Sequence, residues 1–267
     1  PVGVTMAPGG PALTGTATIS GIPFGTSALP TSEFGSRYNG ALQNIAPHLL
    51  LGELAAIKAR GGRVVLMFAG NNRYYKDGAG HFDLNMWKSR VDRFKGVNFS
   101  SYVSDGTIIG HYLIDEPNDP VNWNGRPVPG SVVEQMAQYS KQIWPELSTI
   151  VRVTPTYLTG TYHYLDAAWA QYLTRRGDVT AYLNRNVADA QSRGLALIVG
   201  LNLLKGGPNG TPMTASQVES YGSVLLSSPY PCAFISWKYD PNYLASSGVA
   251  SALDALRTLA ENRGEKS

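Results

Sequence analysis

Apolar residues gather in short, nearly unbroken runs, and between the runs they recur at helical spacing. Strand-like runs occupy residues 17–25 (ATISGIPFG), 63–70 (RVVLMFAG), 107–116 (TIIGHYLIDE), 149–155 (TIVRVTP), 167–172 (AAWAQY), 195–203 (LALIVGLNL) and 232–240 (CAFISWKYD). Several are rich in Val, Ile, Leu and Phe with little polar alternation, as expected of parallel strands covered on both faces. Helical spacing fills 49–60, which stops at Gly61-Gly62, then 135–144, 178–193 before Gly194, 214–226 and 249–262. Ahead of 135–144, Ser131 is the expected N-cap, with Glu134 three residues on completing a capping box.

Repeated β-then-α order predicts a parallel sheet with right-handed crossovers. A chain of 267 residues is a normal length for one α/β barrel. The expected architecture is a single (β/α)8 TIM-type barrel over residues 17–267, after a Pro-, Gly- and Thr-rich leader or linker at 1–16. Seven runs are visible, so the eighth strand is either short and hidden between 91 and 105 or missing. An open doubly wound sheet is the alternative. It is disfavoured because Gly21 and Gly25 fall inside the first run and do not match the GxGxxG phosphate loop.

Composition narrows the function. Charged residues are 15% of the chain against a usual quarter or so, which leaves a surface built on hydroxyls and amides. That balance suits an extracellular or secreted protein. Net charge is +3, but basic residues are scattered, with only short pairs such as Arg175-Arg176, so nucleic acid is not an expected partner. No stretch approaches the ~20 apolar residues of a membrane span, so none is expected. Cys232, the one cysteine, lies in an apolar run and reads as a buried, inert thiol. His48, His81, His111 and His163 show no ligand spacing such as HExxH, so neither metal nor cofactor is expected. A GxSxG nucleophile elbow is absent. The protein is expected to act as a monomer.

In such barrels the active site lies at the C-terminal ends of the strands. Those ends carry Asn71 and Asn72, Asp115 and Glu116, Tyr157, Gln171 and Tyr172, Asn202, and Trp237, Tyr239 and Asp240. Aromatic faces stack on sugars while amides and carboxylates bond their hydroxyls, so the rim suits a carbohydrate substrate. Any one of these residues would serve equally as a helix cap. Asp115-Glu116-Pro117 is the sharpest element, because its acids emerge from a buried strand where desolvation raises a carboxyl pKa. Regular alternation puts Glu116 on one face with Tyr112 and Ile114, and Asp115 on the other. The structural alternative is that Asp115 caps the next turn and Glu116 pairs with Arg152. Asp166, at the start of its strand, reads as structural, and Trp87, Trp144 and Trp169 read as core.

The Asp-Glu-Pro strand end resembles the acid/base strand of many barrel glycoside hydrolases, which usually reads Asn-Glu-Pro. Residues 165–172 (LDAAWAQY) are similar to the Asp-Tyr-x-Trp-x-Gln-x-Tyr strand of plant-type chitinase barrels, and 233–240 (AFISWKYD) to their final, Trp-bearing strand. The resemblance implies Glu116 as general acid/base and Trp237 as the floor of the sugar site. The chitinase Asp-x-x-Asp-x-Asp-x-Glu signature is absent, and the late strand that carries a nucleophilic Glu in the retaining families offers only Asn202. Asp240 is then the best second carboxylate, as base or nucleophile. Asn71, Asn72, Tyr157, Gln171, Tyr172, Asn202, Trp237 and Tyr239 would line the cleft. The expected function is hydrolysis of an extracellular poly- or oligosaccharide; the alternative is a barrel that binds glycan without cleaving it.

Overall fold

The computed structural model describes residues 21–35 and 37–263, so the leader expected at 1–16 lies outside the described residues. Eight parallel strands close into one barrel: β1 (Phe24–Ser27), β2 (Gly40–Gln43), β3 (Arg63–Leu66), β4 (Ile108–Asp115), β5 (Thr149–Arg152), β6 (Ala167–Tyr172), β7 (Ala196–Leu201) and β8 (Ala233–Ser236). Closure comes from β8 pairing with β1, Phe24 opposite Phe234. This is the expected (β/α)8 barrel, with its eighth strand present.

That strand is β2, and it does not lie between 91 and 105. The latter segment instead holds the end of one helix, α2, and a short α3 (α1 is Leu50–Ala59, α2 Leu84–Asp92, α3 Ser100–Ser104). β2 has the sequence GALQ, too short and too mixed to show as an apolar run. Its glycine is forced by its neighbour. A methyl group on Gly25 would fall 1.9 Å from the Gly40 carbonyl oxygen, and one on Gly40 would fall 2.7 Å from the Phe24 nitrogen. Two backbones that close tolerate only glycine, and glycine weakens the strand signal.

Side chains divide into two layers. Leu42, Val65, Ile109, Tyr112, Ile150, Ala167, Trp169, Ile198 and Ile235 fill the barrel interior. Residues of opposite parity, such as Ala168, Ala170, Leu197 and Val199, pack outward against the helices. Trp87 and Trp169 are buried, as expected, and Trp144 packs on Phe68, Phe99 and His111. Cys232 is buried in the interior layer. Asp166 is structural in this arrangement: its carboxylate accepts from the Thr149 N–H at 2.8 Å and lies 2.9 Å from Lys141 Nζ.

The outer helices are α4 (Gly130–Ile143), α5 (Val179–Ser192), α6 (Ala215–Ser227), the short α7 (Pro241–Leu244) and α8 (Ser247–Glu261). Asp178 caps α5, and Thr214 with Gln217 forms a full capping box on α6. The capping box expected at Ser131 and Glu134 is not made. α4 begins two residues earlier, with Pro129 at the N-cap position, and the Glu134 carboxylate accepts N–H bonds from His163, Tyr164 and Leu165. A side chain able to satisfy three orphan donors of a neighbouring loop does more there than at its own helix terminus.

Candidate active site

Glu116 stands directly after β4, at the C-terminal mouth of the barrel, and its backbone is left-handed with φ +42°. Few non-glycine residues occupy that region, and those that do cluster at functional sites. The conformation is held from three sides. The Glu116 N–H donates to the Arg152 carbonyl at 3.1 Å, while the Glu116 carbonyl accepts from the Asp119 N–H at 3.1 Å and from Trp123 Nε1 at 3.0 Å.

The alternation expected along β4 fails just before this point. Between Tyr112 and Asp115 the pairing with β5 shifts by one residue, so three steps on β4 match two on β5. Tyr112 stays inside the barrel, Leu113 and Ile114 both face the helices, and Asp115 returns inward. The assignment of Asp115 to the far face is therefore corrected. Its Oδ1 accepts from the Tyr112 hydroxyl at 2.9 Å and from Arg152 Nε. Such bulges re-aim side chains next to active sites.

Arg152, at the end of β5, ties the acids together. Its Nε serves Asp115, its Nη1 donates to Gln171 Oε1 at 2.9 Å, and its Nη2 lies 3.6 Å from Glu116 Oε2. The pairing weighed for Glu116 thus exists, but Asp115 is the nearer partner. Arg152 is the functional residue that sequence reasoning placed only as a neutralising partner. Its signal was an arginine in the apolar run TIVRVTP, where a buried guanidinium needs a carboxylate. The Tyr112 hydroxyl belongs to the same network.

Glu116 itself is half exposed, with 44% of its side chain open to solvent. Burial of the remainder pushes its carboxyl above the ordinary glutamate range, and the negative charges of Asp115 and Asp119 push the same way. Arg152 and Arg176 oppose the shift without cancelling it. A carboxyl that is both reachable and reluctant to ionise is what general acid catalysis needs.

The other rim residues differ in what holds them. Gln171 faces inward and is held by Arg152, and Asn72 accepts from the buried Tyr75 hydroxyl at 2.6 Å. Asn71, Asn202 and Asp240 turn back on their own loops: Asn71 Oδ1 accepts from the Arg73 N–H, Asn202 Oδ1 from the Lys205 N–H, and Asp240 Oδ1 from the Tyr243 N–H at the start of α7. Trp237 and Tyr239 are half-buried where β8 ends, and the Trp237–Lys238 peptide bond is cis. Tyr157 spends its hydroxyl on the Val128 carbonyl, and its ring packs on the outer apolar layer.

Tyr172 does not line the mouth. Its ring is 2% exposed, lies edge-on to Tyr182 of α5 and Tyr221 of α6, and donates its hydroxyl to the Gly177 carbonyl. Strand parity explains the correction: Ala167, Trp169 and Gln171 point inward, so Tyr172 must point out.

No family model and no curated protein sequence matches the chain. Solved structures do. An endo-β-1,4-mannanase from Cellulomonas fimi superposes with a TM-score of 0.61 at 13% identity, over 90% of this chain and 70% of the mannanase. A β-glucanase from Saccharophagus degradans gives 0.60 at 11% identity, over 91% and 89%. A GH18 chitinase from Pseudoalteromonas aurantia gives 0.53 at 10% identity, over 89% and 99%. The chain shares its barrel with glycoside hydrolases. At these identities the likeness is one of fold, and chemistry must be argued from the mouth.

Proposed function

We propose that this protein is a glycoside hydrolase acting on a poly- or oligosaccharide outside the cell, with Glu116 as general acid/base. The observation that carries the reading is Glu116 itself: a half-exposed carboxyl at the mouth of a closed barrel, in a left-handed conformation, with its pKa raised by burial. In this scheme the Glu116 proton passes to the glycosidic oxygen as the bond to the anomeric carbon breaks. Asp240 is the second carboxylate, either deprotonating the incoming water or attacking the anomeric carbon. One of its oxygens caps α7, which fixes the group's position at the end of β8. Asp115 and Arg152 orient the mouth, and Trp237 supplies a stacking face.

The sharing of this fold with saccharide-cleaving enzymes supports the substrate class. The hydroxyl- and amide-rich composition supports the extracellular setting. The binding-only alternative draws on the β7–β8 side, where Asn202 stands at the position of a late-strand acid and Asp240 already has a capping role. Reducing ends released from a panel of glycans separate the two readings. Cleavage by the wild type that is lost in Glu116→Gln and in Asp240→Asn supports the full scheme. Cleavage that survives in Asp240→Asn removes Asp240 from it, and no cleavage of any glycan favours the binding barrel.

A further inference from the structure

On the β3 side of the mouth, three arginines crowd one tyrosine. Arg73 Nη2 donates to the Tyr74 hydroxyl at 2.8 Å, and its guanidinium carbon lies 4.8 Å from the Tyr74 ring centre. The Arg90 guanidinium lies over the same ring at 4.2 Å. Arg90 Nε donates to the Ala69 carbonyl, while Arg93 donates to the carbonyls of Arg90 and Phe68 at 2.9 and 3.0 Å. Tyr74 remains 38% exposed, so the group opens to solvent. Gly70 sits at its centre. A methyl group built there would lie 3.5 Å from both Arg90 Nη2 and the Tyr74 ring, and 3.7 Å from Asn44 Nδ2.

Backbone carbonyls and a π face fix these guanidinium groups but do not neutralise them. Among the described residues, the arginines in ion pairs are Arg37, Arg152, Arg193 and Arg257; Arg73, Arg90 and Arg93 have none. The hydrogen bond from Arg73, then the surrounding positive charges, hold the Tyr74 phenol below its ordinary range. Held charges of one sign, with N–H groups left over, match an oxyanion that a guanidinium can grip with two bonds.

The patch and Glu116 follow neighbouring strands. The patch lies in the loop and helix after β3, next to β4 in the barrel. Tyr75, the residue after Tyr74, stacks on Trp123 at 6.2 Å, and Trp123 donates its indole N–H to the Glu116 carbonyl. We infer that Arg73, Arg90 and Arg93 form a subsite for an oxyanion carried by the saccharide, a uronate carboxylate or a sulfate ester, bound while another sugar unit of the same chain lies at Glu116. This rests on the reading of the mouth as a saccharide site.

Calorimetric titration of the Glu116→Gln protein with hexagalacturonate, an ι-carrageenan hexasaccharide and cellohexaose tests it. One charged oligosaccharide should bind at least roughly tenfold more tightly than cellohexaose, the scale of one or two charge-assisted hydrogen bonds. Which of the two it is separates carboxylate from sulfate. Adding Arg73→Gln and Arg90→Gln should erase the preference. Should that variant melt early, Arg73→Gln alone, at an exposed side chain, should still reduce it. Equal affinity for all three, no binding of either charged probe, or a preference that survives the arginine changes overturns the inference. Cleavage is scored separately on the wild type. Hydrolysis of a neutral glycan without charged preference removes the subsite and leaves the hydrolase; an arginine-dependent preference without cleavage of any glycan does the reverse.

Discussion

The two halves of the barrel mouth use polar residues differently. From β4 to β6, Asp115, Arg152 and Gln171 bond across strands with the Tyr112 hydroxyl added on Asp115, and Glu116 sits against this network with its carboxyl still partly open. On β7 and β8, Asn202 and Asp240 close onto the turns that follow them within three residues. A polar strand end is thus a poor guide until its bonds are traced. A group satisfied by its own next turn is a cap. A group satisfied by another strand is held in place for something beyond local structure.

The largest expected effect breaks the β4 side. Glu116→Gln keeps the shape and most hydrogen bonds but delivers no proton, so turnover should fall by ~10²–10⁴ with melting temperature unchanged. Equal turnover in the variant would strip Glu116 of its role. Next, Arg152→Met leaves Asp115 without its cation. Because Arg152 is only 11% exposed while Asp115 is 32% exposed, the cost should lie near about 3 kcal/mol, the low end for breaking a buried pair. Urea unfolding measures it, and adding Asp115→Asn should recover part of the loss. A cost near zero would mean that the network is not holding the mouth.

On the other half the effects shrink. Trp237→Ala should weaken saccharide binding roughly tenfold through lost stacking, while thermal stability changes little for a half-buried ring. A collapse in melting temperature would place Trp237 in the core. Asp240→Ala should lose the cap on α7, about 1 kcal/mol, whereas Asp240→Asn should keep it. Equal stability of the two variants would show that the cap contributes nothing.

How far the sequence shows this division depends on the interaction that decides each residue. β3 to β8 appear as apolar runs because burial on both faces selects such residues. β2 stays hidden because its close contact with β1 demands glycine. Glu116 is legible because an acid leaving an apolar strand has a desolvation cost that must be met. Simple alternation turns Asp115 to the wrong face because the bulge in β4 depends on registry with β5, which one strand's sequence does not carry. Tyr172 is the converse case: parity counted from Gln171 already turns it outward. Glu134 shows the limit of local motifs, since its three N–H partners come from residues about thirty positions away.

The smallest expected effect tests the electrostatics of the active half. Burial raises the Glu116 pKa, so the protonated acid persists above the usual carboxylate range, and activity should fall as pH rises through that raised value. Arg176, an exposed residue after β6, favours the ionised form and so holds this limb down. Removing its charge with Arg176→Gln should therefore move the alkaline limb of kcat/KM upward. The move should be small, because an exposed charge is screened by water and ions. At about 1 M salt, where the screening length is only ~3 Å, the difference between the wild-type limb and that of the variant should close. A limb that moves downward in Arg176→Gln, or one indifferent to both the substitution and salt, would mean that another group sets the alkaline limb.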